Sequence, residues 1–527
     1  MTEEAPSSPH GALYWFCFHT RQKLKAYAEN HRRKLVWGSI IAAFLIFVFR
    51  AVIHGVLLDI RKLIFPILLV SILIAAFRQC RRRSGRLAKV GLLLDSLVLF
   101  SLPFWGPQAY TYVWYYLRYE RLNLVVLSEL PVTDHERIQP QNSVYSLAHD
   151  AVTENEAPMT PDFVRVGSEY RWTIGVEPAY PVQRALTGVA KIFNIPGTTP
   201  ELDFSTEHRV PVHFETGEHL MFSRNAHTAV TRSLGVFRFF SYDPAEVMYF
   251  PDDNGEWVQV VTLVRWRGFF FPYPEFGGVQ IIRQQKETFS AYLHLLFLGA
   301  GEWIPPEDVL GHKFLKGQNI VSEQVSLPIG ESFRFQNGFL APLPGYHNGD
   351  IRIPDLERDV NPQPFVSFFK HANEGQGSLY HYFALEPFDI EKQGLNTSVF
   401  VPADGSPQVY VYRHFEHDAS LSGVSSMATK VMESHKQYDW EQNRPVEHRP
   451  FLKEVGGRVR FFWLTTVVTK RLGQEKGRFI AGSTPEVVLT DAQYNSTIWV
   501  NSNAPDTWME TIQTQLGARY AEEQPHR

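Results

Sequence analysis

Three apolar segments stand between clusters of Arg and Lys within residues 35–105, and no other stretch of the chain restricts its fold so strongly. They read LVWGSIIAAFLIFVFRAVI (35–53), LIFPILLVSILIAAF (63–77) and LAKVGLLLDSLVLFSLPFW (87–105). A helix needs about 20 apolar residues to cross a hydrocarbon core of ~30 Å, so the first and third reach that length and the second falls short. Short apolar runs also serve as interior helices of soluble domains. Three so close together, each bounded by basic clusters, fit a membrane region better.

The basic residues give this region an orientation. Arg21, Lys23, Lys25, Arg32, Arg33 and Lys34 precede the first segment, and Arg78, Arg81, Arg82, Arg83, Arg86 and Lys89 separate the second from the third. Only Arg61 and Lys62 lie between the first and second. Positive charge is retained in the cytoplasm, so the expected topology has a cytoplasmic N-terminus, three spans and a large extracytoplasmic C-terminal part. The first span then acts as an uncleaved signal anchor. The lipid bilayer is the first expected partner. Residues 1–34 form a basic cytoplasmic arm, and 35–121 the transmembrane region. The aromatic run YTYVWYYLRYERL (110–122) closes it, as a belt at headgroup depth. The polar side chains singled out inside are Arg50, His54 and Asp95. Asp95 is either a structural hydrogen-bonding group within a helix bundle or an ion relay with Arg50 or His54 as partner.

The remaining chain is long enough for two further domains. The net charge of −4 gives no reason to expect nucleic acid as a partner. Both cysteines, Cys17 and Cys80, fall on the expected cytoplasmic side, so the exported part needs ordinary apolar cores instead of disulfides. Residues 122–161, ending in TENEAPMTP, read as a stalk or linker.

Beyond the stalk the chain repeats itself. Tyr170 to Pro178 and Leu379 to Pro387 alternate like half-buried strands and stop at Glu-Pro, where proline withdraws a ladder donor. A second strand ends in His213-Phe214-Glu215 or His414-Phe415-Glu416. An amphipathic helix follows, expected to be capped by Ser223 or Asp418, and then a long aromatic strand, 256–266 or 458–468. A spacing of about two hundred residues holds throughout, which points to a duplicated α+β domain, 162–340 and 365–520. Between the copies lies a Pro/Gly/Asp-rich linker at 341–364, and a polar tail follows at 521–527. Two features belong to the first copy alone: an amphipathic helix at 181–193, and the apolar run FSAYLHLLFL at 289–298, read as a core element.

The sequence holds no Gly-x-Ser-x-Gly elbow, P-loop, His-Glu-x-x-His or Rossmann fingerprint. On extended strands His213 and Glu215 face the same way, as do His414 and Glu416, so each copy offers two ligands to a metal; a solvated strand edge is the plainer reading. No cofactor is expected. Trp266, Phe269, Phe270, Phe271 and Tyr273 form an aromatic surplus beside arginines and are the expected binding residues. The chain therefore reads as a membrane-anchored extracytoplasmic interaction or assembly protein, meeting a protein partner or itself. A membrane-tethered hydrolase or metal enzyme is the alternative, and a subunit of a channel or ion-driven complex the third reading.

Overall fold

The computed structural model describes residues 32–82, 86–133, 137–198, 203–285, 288–356, 363–371, 377–389, 394–417, 420–455, 457–469, 486–500, 510 and 514–518. It divides into two units, Met1–Leu57 and Leu58–Arg527. Three helices come first: α1 (Arg32–Lys62), α2 (Ile64–Arg82) and α3 (Arg86–Tyr119). The loop expected after Ile53 is not there, because α1 continues to Lys62 and only Leu63 interrupts the helical run. Among the described residues no single helix is long and apolar enough to cross a membrane. Phe47–Lys62 and Ile64–Gln79 meet that measure only together, bent by 57° at their break. The physical limit on α2 is its composition, since fifteen apolar residues are followed at once by Arg78.

The aromatic run expected as a headgroup belt is packed against protein. It forms the last turns of α3, where the Tyr112 hydroxyl donates to the Phe339 carbonyl, Trp114 Nε1 to the Pro272 carbonyl at 2.7 Å, and the Tyr115 hydroxyl to the Glu331 carboxylate. Tyr116 and Tyr119 set their rings edge-on to Phe335 and Phe333. Tyr and Trp suit such a junction, because each buries a large apolar body while its one polar atom finds a partner.

The stretch expected as a stalk is also folded in. After β1 (Asn123–Val126), helix α4 (Gln141–Ala151) buries Val144 and Ala148, and β2 (Glu156–Pro158) pairs with the far end of the fourth strand. Between β1 and α4 the chain is held by a buried carboxylate, Glu447, which accepts from Arg137 at 2.9 Å and from Arg449 at 2.8 Å. Arg137 and Glu447 lie 310 residues apart in sequence.

The next part is β3 (Asp162–Val166), β4 (Glu169–Pro178), α5 (Pro181–Leu186), β5 (Val189–Pro196), β6 (Arg209–Phe214), α6 (Ala226–Ser233), α7 (Val236–Phe239), β7 (Tyr242–Pro251), β8 (Trp257–Arg267), β9 (Tyr273–Arg283), α8 (Phe289–Phe297) and β10 (Glu302–Ile304). One antiparallel sheet runs β2-β4-β5-β6 with β3 on β4, and the other runs β10-β9-β8-β7. Helices α9 (Pro306–Val309) and α10 (Glu323–Ser332) and strand β11 (Ile351–Arg352) lead onward.

The later part is β12 (Phe365–Phe369), β13 (Ser378–Pro387), β14 (Gly394–Leu395), β15 (Thr397–Pro402), β16 (Gln408–Arg413), α11 (His414–His417), β17 (Leu421–Ser422), α12 (Met427–Ser434), β18 (Asn443–Val455), β19 (Arg458–Thr469), β20 (Glu486–Asp491) and β21 (Thr497–Val500). Its sheets run β1-β16-β15-β13-β11, with β12 on β13, and β18-β19-β20-β21, while β14 and β17 form a small ribbon. The architecture is mixed α+β.

The cores follow from the strand patterns. In the earlier part Ile192, Phe214, Val230, Tyr249 and Leu263 pack one sheet on the other through α6. In the later part Tyr382, Phe400, Met427, Leu452 and Trp463 do the same through α12. A third cluster joins the two, setting Phe163, Trp172 and Ile195 against Phe368, Leu379 and Ala403. Fully burying such a side chain is worth about 1.5–3 kcal/mol, so the parts are held to each other as firmly as within themselves.

Two expected helices differ in detail. The 181–193 helix stops at Leu186, since β5 begins at Val189 and Gly188 lies so close to β6 that a Cβ there would be 2.0 Å from the Phe214 carbonyl oxygen. Helix α6 is capped by Asn225, whose side chain accepts the Thr228 N–H at 3.0 Å, and not by Ser223. Asp418 lies outside the described residues.

Candidate interaction surface

The expected metal ligands are not brought together. Strand β6 ends at Phe214, so Glu215 turns inward and is buried while His213 stays exposed. His414 begins the short helix α11 and is buried, its Nε2 2.8 Å from the Ser398 hydroxyl, which in turn lies 2.8 Å from the Tyr382 hydroxyl. The Glu416 side chain lies outside the described residues. Among the described residues no group of three His, Cys, Asp or Glu could hold a metal ion. The strand that would have aligned these side chains ends before it reaches the second of each pair.

The expected binding aromatics divide into two sets. Strand β8 ends at Arg267, and the chain turns at Gly268, which has φ +95° and so a conformation that L side chains rarely adopt. Phe271 is used internally, with Phe65 at 4.7 Å and Tyr110 at 5.3 Å between ring centres. Tyr273 is buried, with the Arg118 and Arg121 guanidiniums 5.3 and 4.7 Å from its ring centre, and Trp266 carries the Lys62 ammonium 4.2 Å over its ring. Phe269 and Phe270 remain exposed. Arg61 ties this turn to the loop before β7: its guanidinium donates to the Phe240 carbonyl at 2.5 Å, the Ser241 hydroxyl at 2.7 Å and the Gly268 carbonyl at 3.2 Å. Arg50 donates to the Phe47 carbonyl of its own helix at 2.7 Å, and His54 lies on that helix too. Asp95 falls in α3 at a position whose side chain lies outside the described ones.

Two buried glutamates have similar surroundings. Glu177 and Glu386 are each the next-to-last residue of a long strand, β4 and β13. Glu177 accepts the His219 N–H at 3.0 Å, and Glu386 accepts the Ser425 N–H at 2.9 Å as well as the Ser425 hydroxyl. Each lies against a glycine two residues before the donor: a Cβ on Gly217 would be 2.3 Å from Glu177 Oε1, and one on Gly423 2.2 Å from Glu386 Oε1. Burial raises both carboxyl pKa values, that of Glu177 to about 7, despite the N–H groups that favour the charged form. The long strands correspond likewise. The β7–β8 ladder skips between Pro244 and Val247 with Thr262 opposite, and the β18–β19 ladder skips between Val446 and Arg449 with Thr465 opposite. In one case the Glu246 N–H donates to the threonine hydroxyl at 3.0 Å; in the other His448 Nδ1 lies 2.8 Å from it.

No family model, curated protein or solved structure matches the chain.

One further surface was missed by the sequence reading. Helix α5 exposes Val182 and Leu186, the loop 221–222 exposes Met221 and Phe222, and α8 exposes Phe289 and Leu293. The Met221 N–H donates to the Arg184 carbonyl at 3.0 Å, which ties that loop to α5. Arg232 ties α8 to the same region, donating at 2.8 Å to the Ser223 hydroxyl. Phe222 is 68% exposed with φ +56°, and Phe289 is 77% exposed. Holding a bulky side chain in the left-handed region costs about 1–3 kcal/mol, yet this one is spent on the surface. The apolar run at 289–298 is a helix with Leu295 buried beneath it and its outer side uncovered, not a core element. The usable signal was the mismatch between the two copies, since β9 and β10 are separated by the residues of α8 whereas β20 and β21 are joined directly at 492–496.

A cleft of about 280 Å³ lies elsewhere, lined in part by Arg165, Lys316, Ser378 and Asp404. Its polar groups are committed to the fold: Asp404 accepts the Gly317 and Ser406 N–H groups at 3.1 Å, and Arg165 donates to the Lys316 carbonyl at 2.7 Å.

Proposed function

We propose that the protein is a membrane-anchored extracytoplasmic interaction protein, built from two copies of one α+β domain, whose first copy presents a docking face to an extracytoplasmic protein. The observation that carries this is the exposed face of Val182, Leu186, Phe222, Phe289 and Leu293. Contiguous apolar surface of this kind is a liability in water unless something covers it. The duplication supports the reading. Strand order and pairing occur twice, as do the Glu-Gly contact and the threonine opposite a ladder skip, so the shared parts build the cores. What the first copy adds between β9 and β10, α8, lines part of the apolar face. An interaction surface added to one of two similar domains needs no catalytic group.

Membrane anchoring rests on the apolar helices and on the charge asymmetry about them, with the N-terminus cytoplasmic. The docking test is site-specific photocrosslinking in intact membranes, with benzoylphenylalanine at Leu186 or Phe289 and, as a control, at the exposed polar Glu441. Adducts of one discrete mass from the first two positions and none from the control are expected. An adduct that shifts with an epitope tag on a second copy identifies self-association. No discrete adduct from either position would overturn the docking face.

A further inference from the structure

The Phe269–Phe270 turn and the loop before β7 form a second apolar surface, distinct from the docking face. Phe237 is 93% exposed and Phe240 is exposed beside it, while Phe269 and Phe270 stand edge to face at 5.0 Å. The Arg61 guanidinium holds the two loops together through the Phe240 and Gly268 carbonyls. Two of the arginines beside these aromatics are engaged by neighbouring side chains. Arg238 lies 4.1 Å over the Trp303 ring and Arg267 pairs with Glu275 at 3.4 Å.

What covers this surface is indicated by what it adjoins. Phe65, in the first turn of α2, packs on Phe270 and Phe271 with ring centres 6.1 and 4.7 Å apart. From there α2 exposes Ile67, Leu68, Ile72 and Ile74. The one polar side chain among residues 63–77 is Ser71, and its hydroxyl donates back to the Ile67 carbonyl at 2.8 Å. Through Phe65 the apolar outer face of α2 adjoins the phenylalanine tips, with the Arg61 guanidinium bonded to the loops that carry them, so a single medium can meet both. Length points the same way. Fourteen residues, 64–77, at 1.5 Å each give the apolar part of α2 about 21 Å, roughly 9 Å less than a hydrocarbon core. A short span is accommodated by thinning the bilayer or by recruiting apolar groups at its end.

Resting on the membrane-anchored reading, we propose that Phe237, Phe240, Phe269 and Phe270 insert among the acyl chains of the extracytoplasmic leaflet and extend the short span of α2. The globular part then sits down into the membrane instead of standing off from it. Arg61 enters the headgroup zone with its donors occupied by loop carbonyls, which lowers the cost of a cation at that depth.

The test uses the full chain with Cys17→Ser and Cys80→Ser, reconstituted in vesicles of phosphatidylcholine and phosphatidylglycerol. A nitroxide is attached in turn at Phe237→Cys, Phe270→Cys, Leu68→Cys and Phe289→Cys, and its accessibility to oxygen and to a water-soluble nickel chelate is measured. Oxygen is expected to dominate at Leu68, Phe237 and Phe270, and the chelate at Phe289. Labels at Phe237 and Phe270 that favour the chelate while Leu68 favours oxygen would overturn the insertion and leave the anchor standing. Labels at the two phenylalanines shielded from both reagents would overturn it in favour of a protein cover. A chelate-accessible Leu68 would overturn the anchor, and the insertion with it.

Discussion

The two Glu-Gly contacts allow the proposed duplication to be tested by energetics. Placing alanine at Gly217 or Gly423 sets a methyl group 2.3 or 2.2 Å from a carboxylate oxygen, far inside contact distance, so the carboxylate has to move. Overpacking of this kind costs about 1–3 kcal/mol. A displaced Glu386 also loses the Ser425 N–H, and a hydrogen bond to a charged group contributes about 1.5–3 kcal/mol. Each Gly→Ala change should therefore destabilise its domain by roughly 2–5 kcal/mol. With Glu386→Ala in place the obstacle is gone, and the same Gly423→Ala change should cost less than about 1 kcal/mol, leaving a coupling energy of about 1 kcal/mol or more.

The assay is a thermal scan of the detergent-solubilised chain at one fixed rate, because a chain of this length need not unfold reversibly. For a domain of 150–250 residues each kcal/mol shifts the midpoint by about 2–4 °C, so the single glycine variants should fall by roughly 4 °C or more. The two cycles, Gly217 with Glu177 and Gly423 with Glu386, should give coupling of the same sign and similar size. Additive effects in either cycle would refute the claim that the contacts are equivalent parts of a repeated domain.

Three further outcomes follow from the structure. Burial raises the Glu177 pKa to about 7 against an ordinary value of 4.5, so the folded state binds this proton more tightly and stability should fall as pH rises from about 4.5 to 7, by on the order of 3 kcal/mol. Glu177→Gln should therefore gain on the parent between pH 5 and pH 8 in denaturation midpoints, and a difference independent of pH would count against the buried-acid account. Arg61→Ala removes the donors shared by Phe240, Ser241 and Gly268, so amide exchange should speed up at 239–241 and 268–271 while β19 is unchanged. A reporter fused after Arg527 should be active only outside the cytoplasm and one inserted at Ser84 only inside; cytoplasmic activity of the first would remove a span from the topology.

Features governed by local chemistry were readable in the sequence. Strands β4 and β13 stop at Pro178 and Pro387 because proline removes a ladder donor, and the long aromatic strands stand where alternation placed them. Features governed by a distant partner were not. Residues 122–161 look like a linker because nothing nearby shows that Arg137 meets Glu447, or that β1 pairs with β16. The tyrosines of α3 look like a lipid belt because their partners, Pro272, Glu331 and Phe339, lie far along the chain. The supposed match of His213 with His414 fails by one residue. Counting along the ladders from Glu177 and Glu386 makes Lys191 correspond to Thr397, whose partners are Pro211 and Arg413, so His414 corresponds to Val212. A register irregularity between Val189 and Lys191 lies in that ladder, and spacing alone does not reveal it.

If the two parts are copies, the way their sheets close their edges accounts for the proposed docking face lying on the first. An edge strand with free N–H and C=O groups invites pairing with another chain and has to be covered or blunted. In the later part the edge at β16 is covered by β1, the segment that follows directly from α3, which pairs with it in parallel from Asn123 to Val126. Strand β1 is thus bound to β16 by main-chain hydrogen bonds. In the first copy the corresponding edge is β6, and it is closed by other means. Pro211 offers no N–H there, while the His213 N–H donates to the Gln284 side chain at 3.0 Å and the His213 carbonyl accepts the Gln285 N–H at 3.1 Å. Because residues just after β9 satisfy that edge, the chain runs on into α8 close beside it, and the uncovered side of α8 becomes part of the apolar face. The same structural demand is met once by the chain leaving α3 and once by the chain leaving β9; on the proposed reading the second copy then serves anchoring and the first is left for a partner.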